Sequence, residues 1–88
     1  MNFHLSFRIG AAPGKVPVIL DVRNLNEYEA GHIRGALHIP VDELRFGLDG
    51  VPRDRPIVVH CKSGFRSHLA VRILKANGWT GVRNLTGG

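Results

Sequence analysis

The stretch Ile57-Val58-Val59-His60-Cys61-Lys62-Ser63-Gly64-Phe65-Arg66-Ser67 carries the chain's one cysteine at the point where a strand pattern gives way to a helix pattern. Apolar residues lead into it, and Leu69, Ile73 and Leu74, with Ala70 and Val71 between, follow at helical spacing. A thiol placed there faces a helix N-terminus, whose unpaired N–H groups and partial positive charge favour the thiolate. Lys62 and Arg66 add two cations. Such surroundings lower a cysteine pKa from about 8.5 into a range of roughly 3.5 to 7.5. The expectation is a nucleophilic cysteine in a loop that attracts anions.

Working outward, Val18-Ile19-Leu20-Asp21-Val22 is an unbroken apolar run around one acid, the pattern of a strand buried on both faces of a parallel sheet. Asn24 is a candidate cap for a short helical turn through Ala30, stopped by Gly31. Ala36 to Ile39 reads as a short strand ended by Pro40, and Asp42 to Leu48 as a short helix with Leu44 and Leu48 inward. Gly50 to Pro56 is a connector. A helix from about Arg66 to Asn77 ends at Gly78, and Gly81 to Leu85 forms a last strand. Residues 2 to 9 alternate apolar and polar, the mark of a half-buried edge strand, and residues 10 to 17 read as a turn. Strands alternating with short helices imply α/β architecture in three layers, α/β/α, around a mainly parallel sheet. In such sheets ligands bind beyond the carboxyl ends of the strands, where Asp21, His38 and Cys61 all fall.

The chain has 88 residues, 43% hydrophobic and 22% charged, which suits one small domain spanning 1–88. No apolar run approaches the roughly 20 residues of a membrane span, and no basic, apolar leader opens the chain, so a cytoplasmic location is expected. A single cysteine excludes an internal disulfide and any multi-cysteine metal site, and the five histidines lack ligand spacing, so neither metal nor cofactor is expected. The net charge of +5 is scattered over twelve Lys and Arg residues without a basic run, which argues against nucleic-acid binding.

Two groups of residues together resemble the rhodanese-like domain family. One is Asp21-Val22-Arg23 with Glu27-Tyr28, Gly31-His32-Ile33, Gly35-Ala36 and Ile39-Pro40; the other is Cys61, four residues on to Arg66, then Ser67, with Gly64 inside the loop. The closing Asn84-Leu85-Thr86-Gly87-Gly88 matches as well. The resemblance implies a sulfurtransferase that carries a sulfane sulfur on a Cys61 persulfide, from thiosulfate or another persulfide to a thiol or cyanide. Lys62, Ser63, Gly64, Phe65, Arg66 and Ser67 would then form the substrate-binding loop. Backbone N–H groups curled into a nest suit an anionic persulfide, Gly64 lets the loop adopt angles closed to other residues, and Arg66 offers planar donors. Ser67 is expected to cap the helix or to bond within the loop. Phe65 suits the mouth of the site.

Asp21 and Arg23 are expected in supporting roles, bonding loop amides and pairing with Glu27, while His32 satisfies a turn. His60 precedes Cys61 and so points to the opposite face of the strand, away from the role of its base. Trp79 is expected to cover the core edge after the helix. Members of the family open with a helix-forming segment and continue past the Gly-Gly into a last helix, so the resemblance implies a domain truncated at both ends, with 1–17 atypical. The expected partners are a small anionic sulfur donor and a protein thiol acceptor, with no nucleic acid or membrane, the chain being a monomer or homodimer. A sulfur-relay or redox accessory or interaction domain of a larger system is the alternative. Cysteine phosphatase or arsenate reductase chemistry is disfavoured, because phosphatase loops are one residue longer.

Overall fold

The computed structural model describes residues 16–62 and 65–85. The expected strand over residues 2 to 9, most of the turn after it, Ser63, Gly64 and the closing Thr86-Gly87-Gly88 lie outside the described residues.

Four strands form one sheet: β1 (Val18–Asp21), β2 (Leu37–His38), β3 (Ile57–His60) and β4 (Val82–Asn84). Their order is β2-β1-β3-β4 and every pairing is parallel. Leu20 lies opposite Leu37 on one side and Val59 on the other, and Val59 in turn opposite Asn84. The two central strands carry the continuous apolar runs because both their faces are covered: all of β1 and the first three residues of β3 are buried. The chain winds outward from β1 to β2 on one side, and then from β3 to β4 on the other. The reversal falls between β1 and β3, and the crevice at a topological switch point is where open α/β sheets bind ligands.

One face of the sheet holds the main core. Leu20, Val22, Ile57, Val59 and Cys61 pack there against Ala70, Ile73 and Leu74 of the helix α2 (Phe65–Ala76) and against Val41, Leu44 and Trp79. A fully buried Leu or Ile side chain contributes about 1.5–3 kcal/mol, so α2 is anchored mainly by this stripe. The opposite face carries a smaller cluster of Ile19, Ile33 and Val58. Ile33 belongs to the link between α1 (Leu25–Ala30) and β2, so this face is covered by that link.

Local signals explain the ends of the elements. Asn24 caps α1 reciprocally: Glu27 N donates to Asn24 Oδ1 at 2.9 Å and Asn24 N to Glu27 Oε1 at 3.0 Å. After α2, Gly78 takes φ +98°, Gly78 N bonds Lys75 O and Trp79 N bonds Leu74 O, a Schellman ending that only glycine enters without strain. Trp79 is buried, donates through Nε1 to Pro52 O at 2.9 Å and carries the Arg53 guanidinium 3.6 Å above its ring, as expected for a residue closing the core edge.

Two elements differ from the sequence expectation. The Asp42–Leu48 segment is two 3₁₀ turns, Val41–Phe46 and Leu48–Gly50, separated at Gly47. Its buried residues Val41 and Leu44 are three apart, and the three-residue turn of a 3₁₀ helix puts both on the core side. Leu48 is half-buried against the core. In α2 the buried positions are Ser67, Ala70, Ile73 and Leu74, whereas Leu69 is exposed. The stripe starts from Ser67 because the first turn packs beneath the cysteine.

Candidate functional site

Cys61 follows β3 directly, at the carboxyl end of a central strand and beside the switch point. Ile57, Val59 and Cys61 belong to the main core while Val58 belongs to the cluster on the other face, so alternation aims Cys61 at α2. Cys61 is 1% exposed and Ser67 N donates to its Sγ at 3.2 Å. Ser67 is the third residue of α2. Its amide is one of the first four N–H groups of a helix, which have no partner within the helix, and here it turns to the sulfur. Ser67 therefore lies inside the first turn, not ahead of it as a cap, and its main chain bonds the cysteine. A sulfur held by such an amide, at the positive end of a twelve-residue helix, is in a setting that stabilises negative charge.

Two carboxylate–guanidinium pairs tie together the ends of β1, α1 and α2. Asp21, fully buried at the end of β1, accepts Arg23 N at 3.0 Å and the Arg23 side chain at 3.0, 3.2 and 2.8 Å. Burial pushes the Asp21 carboxyl up, but the Arg23 bonds and charge outweigh it and hold it below the ordinary value. Arg23 Nη2 also donates to Gly31 O at 2.7 Å, which fastens the end of α1 to the end of β1. The expected bond of Asp21 to a loop amide is thus present, whereas pairing with Glu27 is not: Glu27 reaches across to Arg66. Arg66 Nη1 and Nη2 donate to Glu27 Oε1 and Oε2 at 2.5 and 2.9 Å. The reason is geometric, since both guanidine nitrogens of Arg23 that reach Asp21 are committed there, while Arg66 in the first turn of α2 faces α1. Arg66 lowers the Glu27 carboxyl to about 2, with the Asn24 amide helping. Glu27 in turn raises Arg66, first through its hydrogen bonds and then through its charge, and Asp21 acts in the same direction.

Lys62 is exposed, and Phe65 is 74% exposed at the start of α2. Ser63 and Gly64, which complete the expected loop, lie outside the described residues. His60 sits on the far face from Cys61, opposite Asp21 in the register; burial holds its pKa below the usual value, with Asp21 partly opposing. His38 joins the site's edge through its main role as a brace, its Nε2 bonding Arg23 O at 2.8 Å. Sequence reasoning missed one feature here. Tyr28 is sandwiched between His32 and His38, with ring centroids at 3.8 and 4.1 Å and planes within 9° on both sides. His32 Nδ1 also meets Tyr28 O at 2.8 Å, the turn contact expected of it. The signal that was available is the four-residue spacing of Tyr28 and His32, neighbours on one face. Among the described residues, no group of three or more His, Cys, Asp or Glu is placed to hold a metal ion, and no helix is long and apolar enough to cross a membrane.

Comparison with known proteins gives this geometry a context. The family model described as Rhodanese-like domain matches residues 9–88. The chain is 40% identical over 70 residues to the uncharacterized protein YqhL of Bacillus subtilis (strain 168), covering 80% of this chain and 56% of that protein. It is 35% identical over 71 residues to a sulfurtransferase of Allochromatium vinosum, covering 81% and 66%. Among solved structures, an NAD-dependent persulfide reductase from A. fulgidus superposes with a TM-score of 0.72 at 48% identity, over 83% of this chain and 13% of that one. The chain thus spans about half to two thirds of the length of these two curated relatives.

Proposed function

Because the chain belongs to the rhodanese-like domain family, and its relatives include a sulfurtransferase, we propose that it moves a sulfane sulfur through a persulfide on Cys61. The observation that carries this reading is the Ser67 N–H on the Cys61 sulfur at 3.2 Å, at the head of α2. A thiolate supported in this way attacks the outer sulfur of thiosulfate or of a persulfide. A new S–S bond forms at Cys61, the donor's S–S bond breaks, and sulfite or a thiolate leaves with the electron pair. The acceptor, a thiol or cyanide, then attacks the outer sulfur of the Cys61 persulfide. Its product is a new persulfide or thiocyanate, and Cys61 leaves as the thiolate. No general base is needed when the attacking group is already ionised. The terminal sulfur of the persulfide is anionic, and N–H groups of a loop and helix start hold it without a counter-ion in contact. In this reading Lys62, Phe65, Arg66 and Ser67 border the persulfide, and the Asp21–Arg23 pair braces the turn after β1. The small anionic donor and a protein thiol acceptor are the partners of this reading.

A second reading is favoured by the likeness to a module that makes up 13% of a persulfide reductase chain. In it the domain serves as one station of a sulfur relay, and the donor and acceptor are proteins. One assay separates the two readings. The protein is supplied with thiosulfate or glutathione persulfide, and sulfur is then claimed by cyanide or by a reduced protein thiol. Thiocyanate formed by the wild type and not by Cys61→Ser supports the first reading. Fast discharge to the protein thiol with slow discharge to cyanide supports the second, and no turnover with either donor removes both.

A further inference from the structure

The Arg66 guanidinium lies in the first turn of the helix whose amide holds Cys61, yet it is already engaged. It spends one N–H of each terminal nitrogen on Glu27, out of five in all, and its charge is balanced by that carboxylate. Glu27 is not free to swing away. Oε1 also accepts Asn24 N at 3.0 Å, and Glu27 N donates to Asn24 Oδ1 at 2.9 Å, so moving the carboxylate uncaps α1. The second guanidinium nearby cannot substitute, since Arg23 is held by Asp21 and by Gly31 O. Beside Cys61, Lys62 is exposed and remains as a cation for an incoming anion among the described residues.

We infer that Glu27 is a specificity-determining residue, which by engaging Arg66 turns the site toward organic persulfide donors, whose reacting end carries one charge and no oxygens, and against the dianion thiosulfate. This inference rests on the sulfur-transfer reading above. Thiosulfate brings a sulfonate end with three oxygens suited to a planar guanidinium fork, and two charges to be neutralised. With the fork taken, its sulfonate meets the Glu27 carboxylate as well as Arg66, and like charges repel. At its sulfane end an organic persulfide has no oxygens to place and brings one charge, which the helix amides accept. In the loading step the Cys61 thiolate takes the outer sulfur of the persulfide anion RSS⁻. A new S–S bond forms at Cys61, the donor's S–S bond breaks, and RS⁻ departs with its electron pair, leaving an anionic Cys61 persulfide.

The test compares donors in one protein. Loading of Cys61 is followed with thiosulfate and with glutathione persulfide in the wild type, in Glu27→Gln and in the double variant Glu27→Gln/Arg66→Gln. Gln at position 27 still serves the capping box, and a thermal melt monitors the fold. Glu27→Gln is expected to raise the ratio of kcat/KM for thiosulfate to that for the persulfide by about tenfold, the scale of one charge-assisted hydrogen bond, chiefly through a lower KM. The double variant is expected to lose that gain. An unchanged ratio in Glu27→Gln, with both donors still loading Cys61, overturns the inference and leaves sulfur transfer standing. So does a gain that persists without Arg66. Failure of both donors to load wild-type Cys61 overturns the inference together with the reading beneath it.

Discussion

Glu27 and Arg66, 39 residues apart in sequence, are joined by two hydrogen bonds that tie α1 to the first turn of α2. The pair links the capped helix after β1 to the helix that presents its amide to Cys61. Its partner pair, Asp21 with Arg23, fastens the same helix to the sheet from the other end. Two ion pairs and one core stripe therefore hold the ends of β1, α1 and α2 together, and each has a measurable consequence.

Asn24→Ala removes the acceptor for Glu27 N while leaving the Arg66 pair in place. A loss of about 1 kcal/mol is expected, the usual cost of an N-cap. Urea denaturation of the variant against the wild type measures it. A loss below about 0.3 kcal/mol shows that α1 is held by its ion pairs without help from its cap.

Leu74→Ala empties a fully buried position of the stripe that seats α2. A destabilisation of about 2–5 kcal/mol is expected. The variant's remaining sulfur loading, measured where it is still folded, is expected to fall as well, because the Ser67 amide moves with the helix. Unaltered stability would place the anchoring of α2 elsewhere.

Acid weakens the fold through three groups that act in one direction. Glu27, lowered to about 2 by Arg66, adds stability that is full above its ordinary value of 4.5 and is lost as the pH falls from there toward 2. Asp21, also lowered, behaves likewise below its ordinary value of 3.8. Burial holds His60 below 6.5, so its neutral form is favoured in the fold, and its contribution too is lost as the pH falls below that value. The urea midpoint is expected to drop in two stages, below about pH 6.5 through His60 and from about pH 4.5 toward pH 2 through Glu27 and Asp21, and Glu27→Gln is expected to flatten the second. A midpoint that does not move over this range contradicts the assignment of these charges.

The central strands were legible in the sequence because Val18 to Val22 and Ile57 to Val59 are buried on both faces, and such runs admit few other readings. The Asn24 cap, the Gly78 stop and the position of Cys61 at the strand-to-helix turn were legible because each depends on neighbours close in sequence. The partner of Glu27 was not. Arg23 is nearer in the chain, but Asp21 takes it, and only the folded chain brings Arg66, 39 residues away, within reach. The winding of Val41–Phe46 was hidden because Leu44 fits both a 3.6-residue and a 3.0-residue period, and Gly47 decides where the turn breaks. Leu69 misled for a related reason. It is apolar at helical spacing, yet the face that matters begins at Ser67, chosen by contact with the cysteine. The Tyr28 stack needed β2 in place before His38 had a ring to meet.

The central claim is that Cys61 carries the sulfur. The most direct measurement is the intact mass of the reduced protein after exposure to glutathione persulfide or thiosulfate, followed by peptide fragmentation and treatment with cyanide. The account predicts a gain of one sulfur atom, located on Cys61, removed by cyanide and absent in Cys61→Ser. An unchanged mass with both donors, or an equal gain in Cys61→Ser, contradicts it.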